Sequence, residues 1–508
     1  MQTGRSAVGL GELATQVEAE VERATVVEPS AETPEAIDLK EALRLAARHN
    51  RELQASREAL YVDTLSLFGA RRGYEFALAG SVGYILNNTA DGQTGRGSAE
   101  LSAQRKLPTG GTISLTGEAS QSDRRPDGAE STTTYDSGAR LRMDQPLLAG
   151  AGYEAGHAPL IQAERSYVYA LRDFVLKRQD QALQVMSEYF SLLQAKRVQE
   201  NNQLNVAQVT FLRQRSEALF KVSRAPAIDV LRSQQEELGA VNRLQSGQES
   251  YAIQVRRFLL FLGLPAVGTV AVRDDIPAVR WLEVAEDTVW AVAQARRLDL
   301  LTASDRVADA ERDVRVARNA YRPELNLYGE AGLEGREAES LSNQEYDSAQ
   351  SVGVKLELPL DLRDERDAVK RATLGLNAAR RTREEKMDSV RLEIASSLSE
   401  LRTLRTTVEL EARNIEVAEK RARNASLRFR NGELSNRDVI EAENDLLNAR
   451  NAWGQARVDY ELQRVRFLRN LGLLDVAEDG TLIELPFPAK DDVTPAAPAA
   501  MPAFEVME

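Results

Sequence analysis

The side chains that could carry out catalysis are few in this chain of 508 residues. It contains no cysteine and only two histidines, His49 and His157, which lie far apart. Without cysteine there is no thiolate nucleophile, no disulfide framework and no Cys-ligated zinc. Two distant histidines leave no H-E-x-x-H zinc motif and few candidates for a Ser-His-Asp triad. We therefore expect no enzyme, no catalytic residue, no cofactor and no metal site.

The overall charge and hydropathy exclude two further classes. The net charge of −13 argues against a general nucleic-acid binder, because phosphates would repel it. No run approaches the 18 apolar residues that a membrane-spanning helix needs. The first residues also lack the basic-then-apolar pattern of an export signal. The lack of such a signal predicts either a cytoplasmic protein or one whose export signal lies upstream of Met1.

The chain is internally duplicated. The matched landmarks are Glu52-Leu53 with Asp299-Leu300, Tyr74 with Tyr321, Tyr251 with Tyr460, and Leu262-Gly263-Leu264 with Leu471-Gly472-Leu473. The repeated unit is far longer than the repeats of solenoid proteins, so we interpret it as a duplicated domain. The predicted segments are a flexible N-terminal segment (1–37), a first repeat (38–265), a linker (266–284), a second repeat (285–474) and a flexible tail (475–508).

Each repeat has the same predicted order: a helix, a strand-rich segment, a long helix and a return helix. The long and return helices are predicted over 159–222 and 226–262 in the first repeat, and over 363–430 and 435–471 in the second. At 1.5 Å per residue each long helix would measure roughly 90–100 Å. Apolar residues in the last return helix are spaced alternately three and four apart, which predicts antiparallel coiled-coil packing. They are Val439, Ala442, Leu446, Ala449, Trp453, Ala456 and Tyr460.

The strand-rich segments, about 75–147 and 323–359, alternate apolar and polar residues. For example, Val352 and Val354 alternate with Gly353 and Lys355. Such alternation predicts strands with one apolar face, which packs either on a protein core or on lipid around a water-filled pore. Because no other predicted element is available to cover the sheet, we favour lipid and a β-barrel.

A barrel in lipid must be closed, because unpaired strand edges are too costly there. Two clear strands per repeat give four per chain, too few for a spanning barrel, so several chains must contribute; three would supply twelve strands. The first repeat has an additional hairpin around a Gly-containing turn at 107–111. This hairpin could extend the barrel, fold over its mouth or plug it.

These features together resemble the TolC-type outer-membrane efflux protein family over residues 38–486. The resemblance is carried by the duplication, by Gln145-Pro146-Leu147-Leu148 before the first long helix, by Arg430-Asn431-Gly432 followed by Asp438-Val439, and by Leu471-Gly472. It implies a mixed, mainly α fold: a trimeric twelve-stranded outer-membrane β-barrel continued by a long periplasmic α-helical barrel.

The resemblance also implies a function. The chain would be a passive homotrimeric channel of a tripartite efflux pump or type I secretion system, exporting small molecules or polypeptides. Its partners would be a periplasmic adaptor (membrane fusion) protein, an inner-membrane transporter and outer-membrane lipid, with no nucleic acid. The alternative interpretation is a soluble, elongated coiled-coil scaffold, which the missing signal and net acidity favour.

The turns between long and return helices, here called the two tips (222–226 and 431–435), and the starts of the return helices that follow them carry the implied functional residues. By resemblance, Asp438 and Glu441 form acidic pore-gate positions three residues apart on one helix face. Threefold symmetry would make them carboxylate rings that attract cations. We place Asp229 and Arg437 in the same gate. The implied adaptor contacts are Val222, Ser223 and Arg224 in the first tip and Gly432, Glu433, Leu434 and Ser435 in the second.

Two departures from the family pattern concern these tips. Ser223 and Arg224 replace an expected Gly and Leu, and Ser223 is less suited than glycine to a left-handed turn. Leu434 occupies the position where the family carries a helix-locking arginine, and the nearest arginine is Arg437.

Overall fold

The computed structural model describes residues 35–89, 92–126, 130–223, 226–266, 270–273, 279–284, 286–335, 340, 344–431 and 433–487. The chain divides into two compact units. We call residues 1–59, 172–301 and 386–508 the helical unit, and residues 60–171 and 302–385 the sheet unit. Each unit contains segments from both sequence repeats, so the repeats are interleaved rather than folded as separate domains.

Helices make up most of the described chain. They are α1 (Leu39–His49), α2 (Arg51–Arg72), α3 (Tyr153–Gly156), α4 (Ala158–Lys221), α5 (Ala227–Leu262), α6 (Glu286–Arg296), α7 (Leu298–Ala320), α8 (Arg363–Arg430) and α9 (Asn436–Asn470). The long helices α4 and α8 contain 64 and 68 residues. None of the helices in the described ranges is both long and apolar enough to cross a membrane.

The first helix of each repeat is broken, which the sequence analysis did not predict. Asn50 separates α1 from α2, and Arg297, its counterpart in the repeat alignment, separates α6 from α7. The Asn50 Oδ1 accepts hydrogen bonds from the backbone N–H groups of Glu52 and Leu53, both at 3.0 Å. Asn50 thus caps the N-terminus of α2. Its short polar side chain accepts hydrogen bonds from backbone N–H groups that would otherwise bond within one continuous helix.

The largest apolar core lies in the helical unit. It includes the fully buried Tyr189, Phe190, Leu259 and Phe467, contributed by α4, α5 and α9. Two short sheets border it, the parallel pair β1 (Ala36–Ile37) and β6 (Ala271–Val272) and the antiparallel pair β9 (Leu474–Val476) and β10 (Leu482–Glu484). This core joins elements of both repeats.

A second core holds α8 against α9 near the second tip. Small residues Ala418, Ala422 and Ala425 of α8 are buried in the same cluster as Val439 and Ala442 of α9. The predicted coiled-coil positions of α9 are confirmed as buried, apart from the half-buried Trp453. Alanine at these positions lets the two helix backbones lie close together.

The sheet unit contains one antiparallel sheet of six strands. These are β2 (Ala77–Thr89), β3 (Gly92–Lys106), β4 (Thr112–Pro126), β5 (Thr132–Pro146), β7 (Glu324–Gly335) and β8 (Tyr346–Glu357), in the spatial order β2-β3-β4-β5-β7-β8. The mainly α fold with an added sheet is confirmed. The sheet has two strands more than the four that the repeats share, because the additional hairpin β3–β4, whose place the sequence left open, lies inside the same sheet, between β2 and β5.

Candidate functional site

One face of the six-stranded sheet is apolar from edge to edge. The register aligns Gly80 with Leu101, Leu101 with Gly117, Gly117 with Ala139 and Ala139 with Leu333. The larger apolar members of this face are Leu78, Val82, Tyr84, Leu86, Leu101, Leu115, Leu141, Met143, Leu327, Leu333, Val352, Val354 and Leu356. All of these are exposed, Val82 and Val352 to 89% and 81%, whereas Ile113 and Leu325 on the same face are half-buried. An exposed apolar surface of this extent marks contact with a membrane or another protein.

The height of the apolar face fits a bilayer. In β8 every side chain on this face is uncharged from Tyr346 to Leu356. That span measures about 34 Å along the strand and, at a tilt of about 40°, about 26 Å along a barrel axis. Outer-membrane barrels carry an apolar band roughly 25 Å tall that is bounded by aromatic residues. Tyr84, Tyr135 and Tyr346 lie on this face towards its end farthest from the helices.

The opposite face of the sheet is charged. Arg140 lies 3.3 Å from Glu330 and 3.1 Å from Glu334, and Arg142 lies 2.8 Å from Asp144. The two Arg140 pairs connect β5 of the first repeat with β7 of the second, and the Arg142–Asp144 pair lies within β5. The acidic side chains on this face are Glu100, Glu118, Asp136, Asp144, Glu324, Glu330, Glu334, Asp347 and Glu357, and the basic ones are Arg96, Lys106, Arg124, Arg140, Arg142 and Lys355. The described strands therefore present a hydrated, net acidic surface on this side.

Two tyrosines cover glycines on neighbouring strands, one on each face. A side chain at Gly95 or Gly97 of β3 would meet the ring of Tyr84 on the apolar face. A side chain at Gly353 of β8 would meet the ring of Tyr328 on the charged face. Aromatic cover of this kind stabilises glycine-containing strands. Both β3 of the additional hairpin and β8 use it.

The second tip belongs to the helical unit and begins helix α9. The backbone N–H of Ser435 and its hydroxyl both donate to Asp438 Oδ2, at 2.9 and 2.6 Å. These hydrogen bonds from the Ser435 side chain and backbone hold the pKa of Asp438 below its ordinary value. Asp438 therefore stays ionised at neutral pH, and it stabilises the positive end of the helix.

Glu441 lies one turn further along α9 and is paired with Arg421 of α8. The Arg421 guanidinium donates to Glu441 Oε1 at 3.1 Å and also contacts Asp445. All three side chains are about half exposed. Glu441 was predicted from the sequence, whereas Arg421 and Asp445 were not. The pair could have been found from the sequence. Arg421 precedes the tip by as many residues as Asp445 follows it, and two antiparallel helices joined by a turn bring such positions side by side.

The first tip brings Asp229 to the equivalent position on α5. Asp229 lies in the first turn of the helix, 4.0 Å from Arg232. The starts of α5 and α9 are joined by a buried hydrogen bond, which Asn436 Nδ2 donates to Ser233 Oγ at 2.9 Å. Two acidic helix starts therefore lie side by side. The predicted gate residue Arg437 is exposed, and it has no salt bridge to any residue in the described ranges.

Of the predicted adaptor contacts that the structure describes, all but Leu434 are exposed. Val222 is 62% exposed, and Ser223 takes a positive φ of 57°. Glu433 pairs with Arg428 at 3.0 Å, which lowers the pKa of the Glu433 carboxyl. Leu434 differs, since it packs partly buried against the Phe429 cluster. Ser435 is exposed, and Arg224 and Gly432 lie outside the described residues.

A comparison with protein families finds a match within the second repeat. Residues 290–473 match the outer membrane efflux protein family, which confirms the resemblance found in the sequence. No curated protein matches the chain.

Solved structures with the same fold include outer-membrane channels. The CmeC outer membrane channel of Campylobacter jejuni is 15% identical with a TM-score of 0.64, and the match covers 85% of both chains. The outer membrane protein VceC of Vibrio cholerae is 15% identical with a TM-score of 0.64, covering 85% of this chain and 96% of that one. The open-state MtrE channel of Neisseria gonorrhoeae is 14% identical with a TM-score of 0.61, covering 85% and 88%. At these identities the similarity establishes the fold.

Proposed function

We propose that this chain, whose residues 290–473 match the outer membrane efflux protein family, is one of three identical subunits of a passive export channel in a bacterial outer membrane, with its helices in the periplasm. The observation that carries the proposal is the six-stranded sheet, uncharged and exposed over the middle of one face and charged on the other. In a closed barrel the apolar face would contact lipid on the outside and the charged face would contact water on the inside.

The alternative, a soluble coiled-coil scaffold, does not account for this sheet. A scaffold would leave Leu78, Val82, Val352 and their neighbours in water, although soluble monomers rarely expose an apolar patch larger than a few hundred Å². The helices alone fit both interpretations. The sheet therefore supports the channel rather than the scaffold.

The tips supply the proposed gate and docking surface. Asp438 and Glu441 on α9, with Asp229 on α5, would form rings of carboxylates around a threefold axis, and such rings favour cations in a pore. Asp438 suits this role because its lowered pKa keeps it charged. The exposed Val222 and Ser223 of the first tip and Glu433 of the second are proposed to contact a periplasmic adaptor, which links the channel to an inner-membrane transporter.

The experiment is single-channel recording in planar bilayers with a salt gradient, comparing the unchanged protein with the double variant Asp438→Asn, Glu441→Gln. The unchanged channel should prefer cations, and the variant should lose most of that preference. Glu283→Gln, which removes an exposed carboxylate outside the two tips, is the control and should behave like the unchanged protein. Equal selectivity in all three proteins would refute the gate, and a protein that never inserts as a channel would refute the whole proposal.

A further inference from the structure

We infer that the hairpin β3–β4 is part of the barrel wall, so that three copies of this chain close a barrel of eighteen strands rather than twelve. The inference rests on the proposed function, because it takes the trimeric channel as given. It concerns what the channel wall is made of and how wide it is. Four observations in the sheet unit support it.

The first observation is the continuity of hydrogen bonding through the hairpin. The β2–β3 ladder pairs every residue from Ala77 with Gln104 to Thr89 with Gly92. The β3–β4 ladder runs from Gly92 with Pro126 to Lys106 with Thr112, and the β4–β5 ladder is equally complete. A hairpin that served as a plug or lid would have to give up the two outer ladders.

The second observation is that the hairpin has the same two faces as the rest of the sheet. Leu101 and Leu115 lie on the apolar face, where Leu115 is the register partner of Leu141 of β5 and Leu101 is the partner of Gly117. Glu100 and Glu118 lie on the charged face, in the same layer of the sheet. A strand buried inside a lumen would have no reason to carry apolar residues on one side in this register.

The third observation is that the helix-side turn of the hairpin, residues 107–111, is fixed to the segment before α4. Gly152 N–H donates to the Thr109 carbonyl at 3.1 Å, and the Thr109 hydroxyl donates to Gln145 Oε1 at 2.6 Å. Gly110 has a φ of 90°, and any side chain there would overlap the Gly150 carbonyl. The docked position of the turn therefore requires glycine at residue 110.

His157 completes this anchor, which gives the histidine a structural role. Its ring stacks between Tyr74 and Tyr153, with centroid distances of 4.6 and 4.3 Å. Its Nδ1 lies 3.1 Å from the Pro108 carbonyl of the turn. The Pro108 carbonyl thus ties the helix end of the hairpin to a buried histidine that two tyrosines hold in place, which opposes a swing of the hairpin over the mouth.

The fourth observation is the pair of free edges. Among the described strands of one chain, β2 (13 residues) and β8 (12 residues) each have a neighbouring strand on one side only. All six strands alternate in direction, so β8 of one copy meets β2 of the next in antiparallel orientation, with apolar faces on the same side. Unpaired edges are not tolerated in lipid, and a second copy of this chain supplies the matching edge.

The added strands widen the proposed pore. With strands about 4.8 Å apart and tilted by about 40°, eighteen strands give a backbone diameter of roughly 36 Å, against roughly 24 Å for twelve. Barrels of sixteen to eighteen strands leave an open aqueous channel. The wider wall therefore suits bulky cargo better than a twelve-stranded one.

The test uses paired cysteines, since the natural chain has none that would interfere. Ser81→Cys on β2 is combined with Ala349→Cys or Ser351→Cys on β8, and the protein is oxidised in the outer membrane. We expect disulfide-linked dimers and trimers that disappear on reduction. Two intrachain pairs, Ala79→Cys with Ser102→Cys and Thr116→Cys with Arg140→Cys, should form disulfides within one chain, because their positions are register partners.

The controls separate this inference from the proposed function. Single-cysteine variants should give no linked species, and the mass in detergent reports the oligomer independently. A trimer in which β8 links instead to Thr116→Cys on β4, or in which the β2–β3 pair fails to link, would overturn the eighteen-stranded wall alone. A monomer without any intermolecular disulfide would overturn both proposals.

Discussion

Gly263 and Gly472 occupy equivalent places at the ends of the two return helices. Both adopt left-handed backbone conformations, with φ of 85° and 70°. A side chain on Gly263 would overlap the His49 carbonyl at the end of α1, and one on Gly472 would meet the Arg296 carbonyl at the end of α6. The same joint between a return helix and a first helix is thus built twice.

Asn50 and Arg297, which follow His49 and Arg296, are equivalent in the same way. Asn50 Nδ2 donates to the Phe261 carbonyl at 2.7 Å, and Arg297 Nη1 donates to the Asn470 carbonyl at 3.3 Å. A long charged side chain has replaced a short amide in the second repeat, yet it reaches the equivalent carbonyl. Duplication has preserved the geometry of the joint more closely than its chemistry.

Gly263→Ala tests the joint. The substitution combines an unfavourable positive φ with a backbone overlap, so we expect a loss of about 2 kcal/mol or more in the free energy of unfolding. Gly375→Ala is the matched control. Gly375 lies within helix α8 with open space around it, and alanine there should stabilise by about 0.5–1 kcal/mol. Denaturant unfolding in detergent measures both, and equal effects of the two substitutions would contradict the account.

Ser223→Gly tests the first tip. Ser223 has a positive φ of 57°, which costs an L-residue about 1–2 kcal/mol relative to glycine. We expect Ser223→Gly to stabilise by about 1 kcal/mol, whereas Ser223→Ala keeps its Cβ and should bring no gain. A raised Tm for the glycine variant alone is the expected result. The same Tm for both variants would show that the backbone there is not strained.

Arg297→Met tests the buried charge cluster at the second joint. Arg297 is almost fully buried and pairs with Asp299 at 2.9 Å and Glu393 at 2.7 Å. Removing it leaves two carboxylates without their main partner, a change that typically costs about 3–5 kcal/mol. Arg363→Met, at an exposed pair with Asp361, is the control and should change the stability little.

The same cluster predicts a pH dependence. Burial acts to raise the pKa of Asp299, but hydrogen bonds from Arg297 and Lys386 outweigh it and lower the pKa to about 2. Because the folded pKa lies below the unfolded value, this site stabilises the fold above about pH 4, and the contribution is lost as the pH falls towards 2. The gap in Tm between the unchanged protein and Arg297→Met should therefore narrow over that range. A constant gap would refute the assignment.

Val352→Arg and Ser351→Arg compare the two faces of β8. Both positions are exposed within one chain, so in a soluble protein both substitutions should be nearly neutral. Val352 lies in the middle of the apolar face, where an arginine facing lipid costs about 2–4 kcal/mol. We expect Val352→Arg to lower the yield of assembled channel in outer membranes sharply, and Ser351→Arg to be tolerated. Equal tolerance would contradict a lipid-facing sheet.

Arg421→Gln tests the gate by removing the positive charge that neutralises its carboxylates. Arg421 compensates the charges of Glu441 and Asp445. Its removal should increase the cation preference of the channel in planar bilayers. Lys420→Gln, which breaks a neighbouring exposed pair with Glu416 on α8 alone, is the control. If both variants shift the selectivity equally, the effect is one of general charge, and the specific role of Arg421 is refuted.

The long helices and the faces of the strands could be predicted from the sequence. Helix α8 begins at Arg363 and ends at Arg430, as predicted, because charged, strongly helix-forming residues fill it and a turn sequence follows. The alternation in β8 likewise shows directly which side chains share a face. These features are local, so local patterns are sufficient to find them.

The rest depends on contacts between distant segments. Arg140 meets Glu330 only because β5 pairs with β7 in one particular register, and nothing local specifies that pairing. The helix breaks at Asn50 and Arg297 were missed because both residues are tolerated in helix interiors, and each is recruited by a carbonyl some 170 to 210 residues away. The place of the hairpin β3–β4 in the sheet was undetermined for the same reason.

The central claim is that three copies of this chain form one membrane-inserted channel. The most direct test is the mass of the purified protein in detergent, by light scattering with the detergent contribution subtracted. The account predicts a species of three times 56.2 kDa that precipitates when detergent is removed. A monomer or dimer that stays dispersed without detergent would contradict it and would favour the soluble scaffold.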